Sequence, residues 1–138
     1  MQDSYKTRFS KLTGTDYKEV SRKARAIYKT ICSKTKRKPY VRSAYFKKEK
    51  IFLDYFWQHL QEKKWQDRFR RLQYYNCALD LIQHTRITPT TKDNPNKSSE
   101  NVYRFKGITK NKEVFFVQIM EKKKNGNKHF ISTFPEEP

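Results

Sequence analysis

Residues 103–135, YRFKGITKNKEVFFVQIMEKKKNGNKHFISTFP, leave little room for anything but strands. Apolar and polar side chains alternate in three runs, VYRFKGI, EVFFVQIME and KHFISTF, which is the period of a half-buried strand. A TKNK turn and a KKKNGNK loop separate them, and the Asn-Gly pair supplies the positive-φ positions a tight hairpin needs. The reading is an antiparallel meander over 102–135. Because successive side chains point to opposite faces, Tyr103, Phe105, Phe115, Val117, Ile119, Phe130 and Phe134 form one face, suited to burial. The other carries Arg104, Lys106, Gln118, His129 and Thr133 among Phe116 and Ile131. Ser132 points inward unless the third strand is bulged.

Upstream the period changes to that of helices. Asp16 followed by Glu19 is a capping-box-like start, and Tyr17, Val20, Ala24, Ile27 and Ile31 recur at steps of three or four along one face. This helix stops before Pro39, and SKTKRK (33–38) is its frayed basic end or an exposed connector. Phe52, Tyr55, Phe56, His59 and Leu60 predict a second helix to about residue 62. Trp65, Phe69, Leu72, Tyr75, Leu79 and Ile82 predict a third, ending near His84. His59 falls on an apolar stripe and reads as a core histidine. His84 either caps its helix end or projects with Arg86 toward the sheet face. Residues 86–101, RITPTTKDNPNKSSEN, have the composition of a loop. The expected protein is a single α+β domain spanning 1–138: a flexible N-terminus (1–15), a basic helical part (16–85) of about three helices packed on one face of a small C-terminal antiparallel β-meander (102–135), and the loop between them.

Charge narrows the partner. The chain has 32 Lys and Arg against 14 Asp and Glu, a formal charge of +18 in 138 residues. Such self-repulsion is relieved by a polyanion, with nucleic acid as the leading candidate. Arg22, Arg25, Lys29, Lys34, Lys36, Arg37, Lys38 and Arg86 are the expected phosphate contacts, with Gln118 on the sheet. Cys32 and Cys77 lack the spacing of a zinc site and of a disulfide framework, so they read as buried thiols of a reducing compartment. No apolar run is long enough to span a membrane and no secretory leader is evident, so the expected location is cytoplasmic. No metal or small-molecule cofactor is expected.

The polar sheet face has the chemistry for cleaving RNA through its own 2′-hydroxyl. That reaction needs a base near neutrality, cations for the charge developing on phosphorus, and an acid for the departing oxygen. His129 has the side chain for proton transfer, Arg104 can fork onto phosphate, Lys106 adds a point charge, and Thr133 can orient a phosphate or a water.

The order of elements, with YRFKG, FFVQI and KHFISTFP closing the chain, resembles the superfamily of barnase, EndoU, colicin and RelE-like nucleases, in particular its phage-encoded and toxin-associated branches. The resemblance covers roughly residues 76–135. It implies a metal-independent ribonuclease whose exposed sheet face holds the active site, acting as a toxin and held by an acidic antitoxin or immunity protein. It assigns Arg104, with Lys106, to the basic strand position, His129 to the late-strand histidine, and Ser132 or Thr133 to the closing hydroxyl. Glu113 and Glu121 fall at strand ends, and neither is assigned as a base. The competing readings are a non-catalytic RNA- or DNA-binding module that stacks bases on Phe116, and a basic protein that docks on an acidic protein partner.

Overall fold

The computed structural model describes residues 4–94 and 97–137; residues 1–3, 95, 96 and 138 lie outside the described residues. Helix α1 (Tyr17–Lys34) begins where the sequence places it, with the Asp16 carboxylate accepting from the Glu19 amide at 2.9 Å. That bond satisfies one of the orphan donors of the first turn. Val20 and Ala24 are fully buried, and Tyr17, Ile27 and Ile31 pack at the margin of the same core.

The next elements differ from expectation. Residues after Pro39 form a hairpin, β2 (Tyr40–Ser43) and β3 (Glu49–Phe52), so Phe52 ends a strand, and α2 (Asp54–Gln61) starts directly after it. The expected third helix is two, α3 (Trp65–Leu72) and α4 (Tyr75–His84), broken at Gln73 and Tyr74. Within the expected loop, β4 (Thr90–Asn94) pairs with the extended β5 (Lys97–Ile108). Strands β6 (Val114–Lys122) and β7 (Lys128–Pro135) complete the C-terminal run.

Within the stretch expected to be a flexible N-terminus, residues 5–7 and Leu12 are tied down. Strand β1 (Tyr5–Lys6) pairs parallel to the end of β5, Thr7 donates its amide to Ile108, and Leu12 donates to Gln73 at 2.7 Å.

Sheet order is β1-β5-β6-β7-β3-β2, with β4 also on β5. Pairs β5/β6 and β6/β7 are antiparallel, but β3/β7 and β1/β5 are parallel. The α+β reading with three helices on a small antiparallel meander is therefore corrected. Among the described residues the protein is a mixed α/β fold of four helices and a seven-stranded mixed sheet with the helices interspersed. The missed strands are short (β1 has two residues, β2 and β3 four each), too few for alternation to register. The parallel pairs join segments far apart in sequence, which no local pattern reports.

One sheet face is buried beneath helices and the β2–β3 turn. Phe56 stacks on Phe130 with centroids 4.7 Å apart, Tyr74 stacks on Phe115 at 5.5 Å, and Phe46 meets Tyr103 and Phe105 edge-on. Burial of each such ring contributes roughly 1.5–3 kcal/mol. Gly107 permits the close approach of α4, since a Cβ there would meet Phe115 at 2.5 Å and Leu81 at 2.9 Å. Both cysteines are free; Cys77 is buried, which pushes its thiol up to about 12, and Cys32 is half-buried. No helix among the described residues is long and apolar enough to cross a membrane.

Candidate functional site

Register places three polar side chains in one row across the open sheet face. Arg104 of β5 pairs with Gln118 of β6, which pairs with Ser132 of β7. The row below it is Lys106, Phe116 and Phe134. Ser132 belongs to this face because β7 is bulged. Gln118 pairs with Ser132 and Ile119 with Phe130, leaving Ile131 as the extra residue. A bulge reverses the side on which all later residues emerge, so Ser132 and Phe134 turn outward and Thr133 turns in. The expected placement of Phe134 on the buried face is corrected by the same device.

Helices α2 and α3 close this row into a pocket of about 270 Å3, lined by Arg104, Gln118, Ser132 and Phe134 from the sheet, His59 and Leu60 from α2, Lys63 just beyond it, and Arg71 from α3. Arg71 is fixed at both ends. Its Nε donates to Asp67 Oδ2 at 2.9 Å, its Nη1 donates to Ser132 Oγ at 2.7 Å, and its guanidinium lies 5.2 Å from the Phe134 ring centre. Burial pushes the Asp67 carboxyl up, but hydrogen bonds from Arg70 and Arg71 outweigh it and hold the pKa below its ordinary value. Asp67 is thus an anionic anchor one helical turn from the guanidinium it orients.

Arg104 is held in a similar way. With the Gln118 amide oxygen turned toward it, the orientation that the surrounding donors require, Oε1 accepts from Arg104 Nε at 3.3 Å and Nη2 at 3.0 Å. The same guanidinium lies 5.5 Å from Phe134 and 5.8 Å from Phe116. The pocket therefore presents two oriented guanidinia, an ammonium, an imidazole and a hydroxyl, and no carboxylate lines it among the described residues. Fixed cations at short range in a partly desolvated cleft attract an anion the size of a phosphate.

The expected site residues separate. Arg104, Gln118 and Ser132 meet in the pocket, and Lys106 stands in the next row of the same face. Thr133 is fully buried, its hydroxyl donating to the Phe116 carbonyl at 2.8 Å, so its expected role on phosphate or water is corrected. His129 emerges on the Arg104 side by register, yet it is only 3% exposed. Because α2 follows β3 without a linker, Tyr55 stacks on the imidazole at 4.0 Å, and Phe52 lies 5.5 Å away. Burial, then the charge of Lys122, lowers its pKa. A histidine sealed in this way cannot reach substrate, and its expected catalytic role is corrected.

Reading His59 as a core residue is corrected too. It is partly exposed, 3.9 Å from Glu62, and lines the pocket. Arg71 and Lys63 carry no sequence signal for this site, because the contact between Arg71 and Ser132 joins residues 61 apart. Of the expected phosphate contacts, Arg22, Arg25, Lys29, Lys34, Lys36, Arg37, Lys38 and Arg86 are all exposed, and Arg25 lies 4.4 Å over the Trp57 ring. Glu121 accepts from Tyr103 OH at 2.7 Å and pairs with Lys128 at 3.0 Å, a structural role. Comparison with protein-family models, curated proteins and solved structures finds no significant match to this chain.

Proposed function

We propose that the protein is an RNA endonuclease that works without a metal ion and holds the scissile phosphate in the pocket between the open sheet face and α2. The observation that carries this reading is that one pocket holds Arg71, clamped by Asp67 and bonded to Ser132, together with Arg104, held by Gln118, and His59.

In the reaction the 2′-oxygen attacks phosphorus, forming the 2′-O–P bond as the 5′-O–P bond breaks. His59 takes the proton from the 2′-hydroxyl, and the departing 5′-oxygen is protonated by Lys63 or by water. The two guanidinia stabilise the extra negative charge on the non-bridging oxygens. The products are a 2′,3′-cyclic phosphate and a free 5′-hydroxyl. Gln118 and Asp67 act as positioning residues, since each orients an arginine.

The binding-module reading draws on one observation, the partly exposed Phe116 and Phe134 beneath Arg104, which form a surface suited to base stacking. One experiment separates the two. Labelled RNA is incubated in EDTA with the wild type and with His59→Ala and Arg104→Ala, and the ends are examined for cyclic phosphate. Loss of about 10²–10⁴ in rate for His59→Ala and about 10²–10³ for Arg104→Ala supports the enzyme. Salt-sensitive binding of RNA that the wild type leaves intact selects the module.

A further inference from the structure

A second and larger cavity, about 1030 Å3, lies where the last turn of α1, the β2–β3 hairpin and the end of α4 meet. It shares no lining residue with the sheet-face pocket. Lys34 comes from α1, Arg42, Lys47 and Lys48 from the hairpin, and Arg86 from the segment after α4. All five are exposed, and none has a carboxylate partner among the described residues. By contrast Arg70 is neutralised by Asp67 and Glu137, and Lys128 by Glu49 and Glu121. The carboxyl ends of α1 and α4 contribute only about half a negative charge each, so the groove stays strongly positive.

The hairpin is shaped around these charges. Lys47 and Lys48 have φ of 55° and 69°, the left-handed region that glycine occupies freely and lysine does not. Lys48 N donates to Ser43 at 2.7 Å, and Arg42 Nη1 donates to the Lys48 carbonyl at 2.9 Å, which holds that conformation. Lysines rather than glycines at these two positions add two ammonium groups to the groove rim. At the other wall, His84 Nδ1 lies 3.0 Å from Asp80 Oδ1, while Asp80 Oδ2 accepts from Tyr5 OH at 2.8 Å and Thr7 Oγ1 at 2.7 Å. The buried carboxylate thus fixes an exposed imidazole at the groove through its Nδ1.

We infer that this groove captures the phosphodiester backbone of the RNA strand that extends from the cleavage pocket. The inference rests on the ribonuclease reading and adds a separate surface for strand capture. Three of the five cations are lysines and two are arginines, and both side chains contact phosphate oxygens along a strand without reading its sequence. Lys36, Arg37 and Lys38 continue the same basic rim in sequence between α1 and β2.

The test measures binding of a short single-stranded RNA blocked at its 2′-oxygens, over a salt series, together with cleavage of a dinucleotide. The triple variant Lys34→Glu, Lys47→Glu, Arg86→Glu should bind at least tenfold more weakly, with a log–log salt slope shallower by about 2, at ~0.7 per phosphate contact. Its dinucleotide turnover should equal that of the wild type. The double variant Lys47→Gly, Lys48→Gly relieves the backbone while removing two charges, so it should melt no lower than the wild type and still bind RNA less tightly. Wild-type affinity and salt slope in both variants would overturn the groove while leaving the ribonuclease reading intact. Groove-dependent binding by a wild type that cleaves nothing would keep the groove and remove the enzyme. A wild type that binds no RNA at low salt overturns the inference and leaves an acidic protein as the occupant.

Discussion

His129 shows how one side chain can have the right chemistry in the wrong surroundings. Its imidazole is stacked on Tyr55 and packed near Phe52, and neither ring nitrogen has a protein hydrogen-bond partner among the described residues. A buried polar group without a partner costs about 1–3 kcal/mol, whereas the stacked ring is worth keeping. Replacing His129→Phe should therefore stabilise the fold by about 1 kcal/mol and leave RNA cleavage unchanged. Denaturant unfolding reads the first and the cyclic-phosphate assay the second; lost activity in a folded variant would return His129 to the site. Ser132 is the converse case, a small hydroxyl that reaches the pocket only because Ile131 is bulged out of register.

Among the elements, β3, β6 and β7 are tied together by one side chain. Lys128 is buried at the start of β7, bonded to Glu49 of β3 at 3.0 Å and to Glu121 of β6 at 3.0 Å, with its ammonium 4.8 Å from the Phe46 ring. The short parallel β3/β7 ladder, Ile51 to Lys128 and Phe52 to His129, gains its side-chain tie here. Glu49 is half-exposed and contributes little through solvent screening, so most of the effect comes from Glu121. Lys128→Met should cost about 2 kcal/mol, seen as a lower melting temperature. An unchanged melt would mean that backbone pairing alone holds the edge hairpin. The same junction carries α2 to its place beside β7, so loosening it should also weaken the pocket wall that holds His59.

Over the whole molecule, charge and burial combine to make stability fall on the acid side. Burial lowers the folded pKa of His129, so between that value and the ordinary ~6.5 the unfolded chain binds the additional proton and stability declines as pH drops. Asp67 and Glu121 are also lowered, so their contributions hold above the ordinary ~4–4.5 and are lost as pH falls further. Melting temperature should therefore decline in two stages, and His129→Phe should abolish the upper one; a variant that keeps both stages would assign the first to another group. Self-repulsion from the +18 charge grows over the same range as carboxylates are protonated.

Local sequence determined α1 with its Asp16 cap, the helical run around Phe56 and Leu60, the alternation of β5 and β6, and the positive field, because periodicity and charge act within a few residues. Tertiary structure alone decided the parallel partners of β5 and β7, the break between α3 and α4, the reversal of Ser132 and Thr133, the burial of His129 and the meeting of Arg71 with Ser132. Those outcomes depend on which distant surfaces bury one another. A one-residue bulge or a helix starting directly after a strand changes which way a side chain faces without leaving any mark on the local pattern.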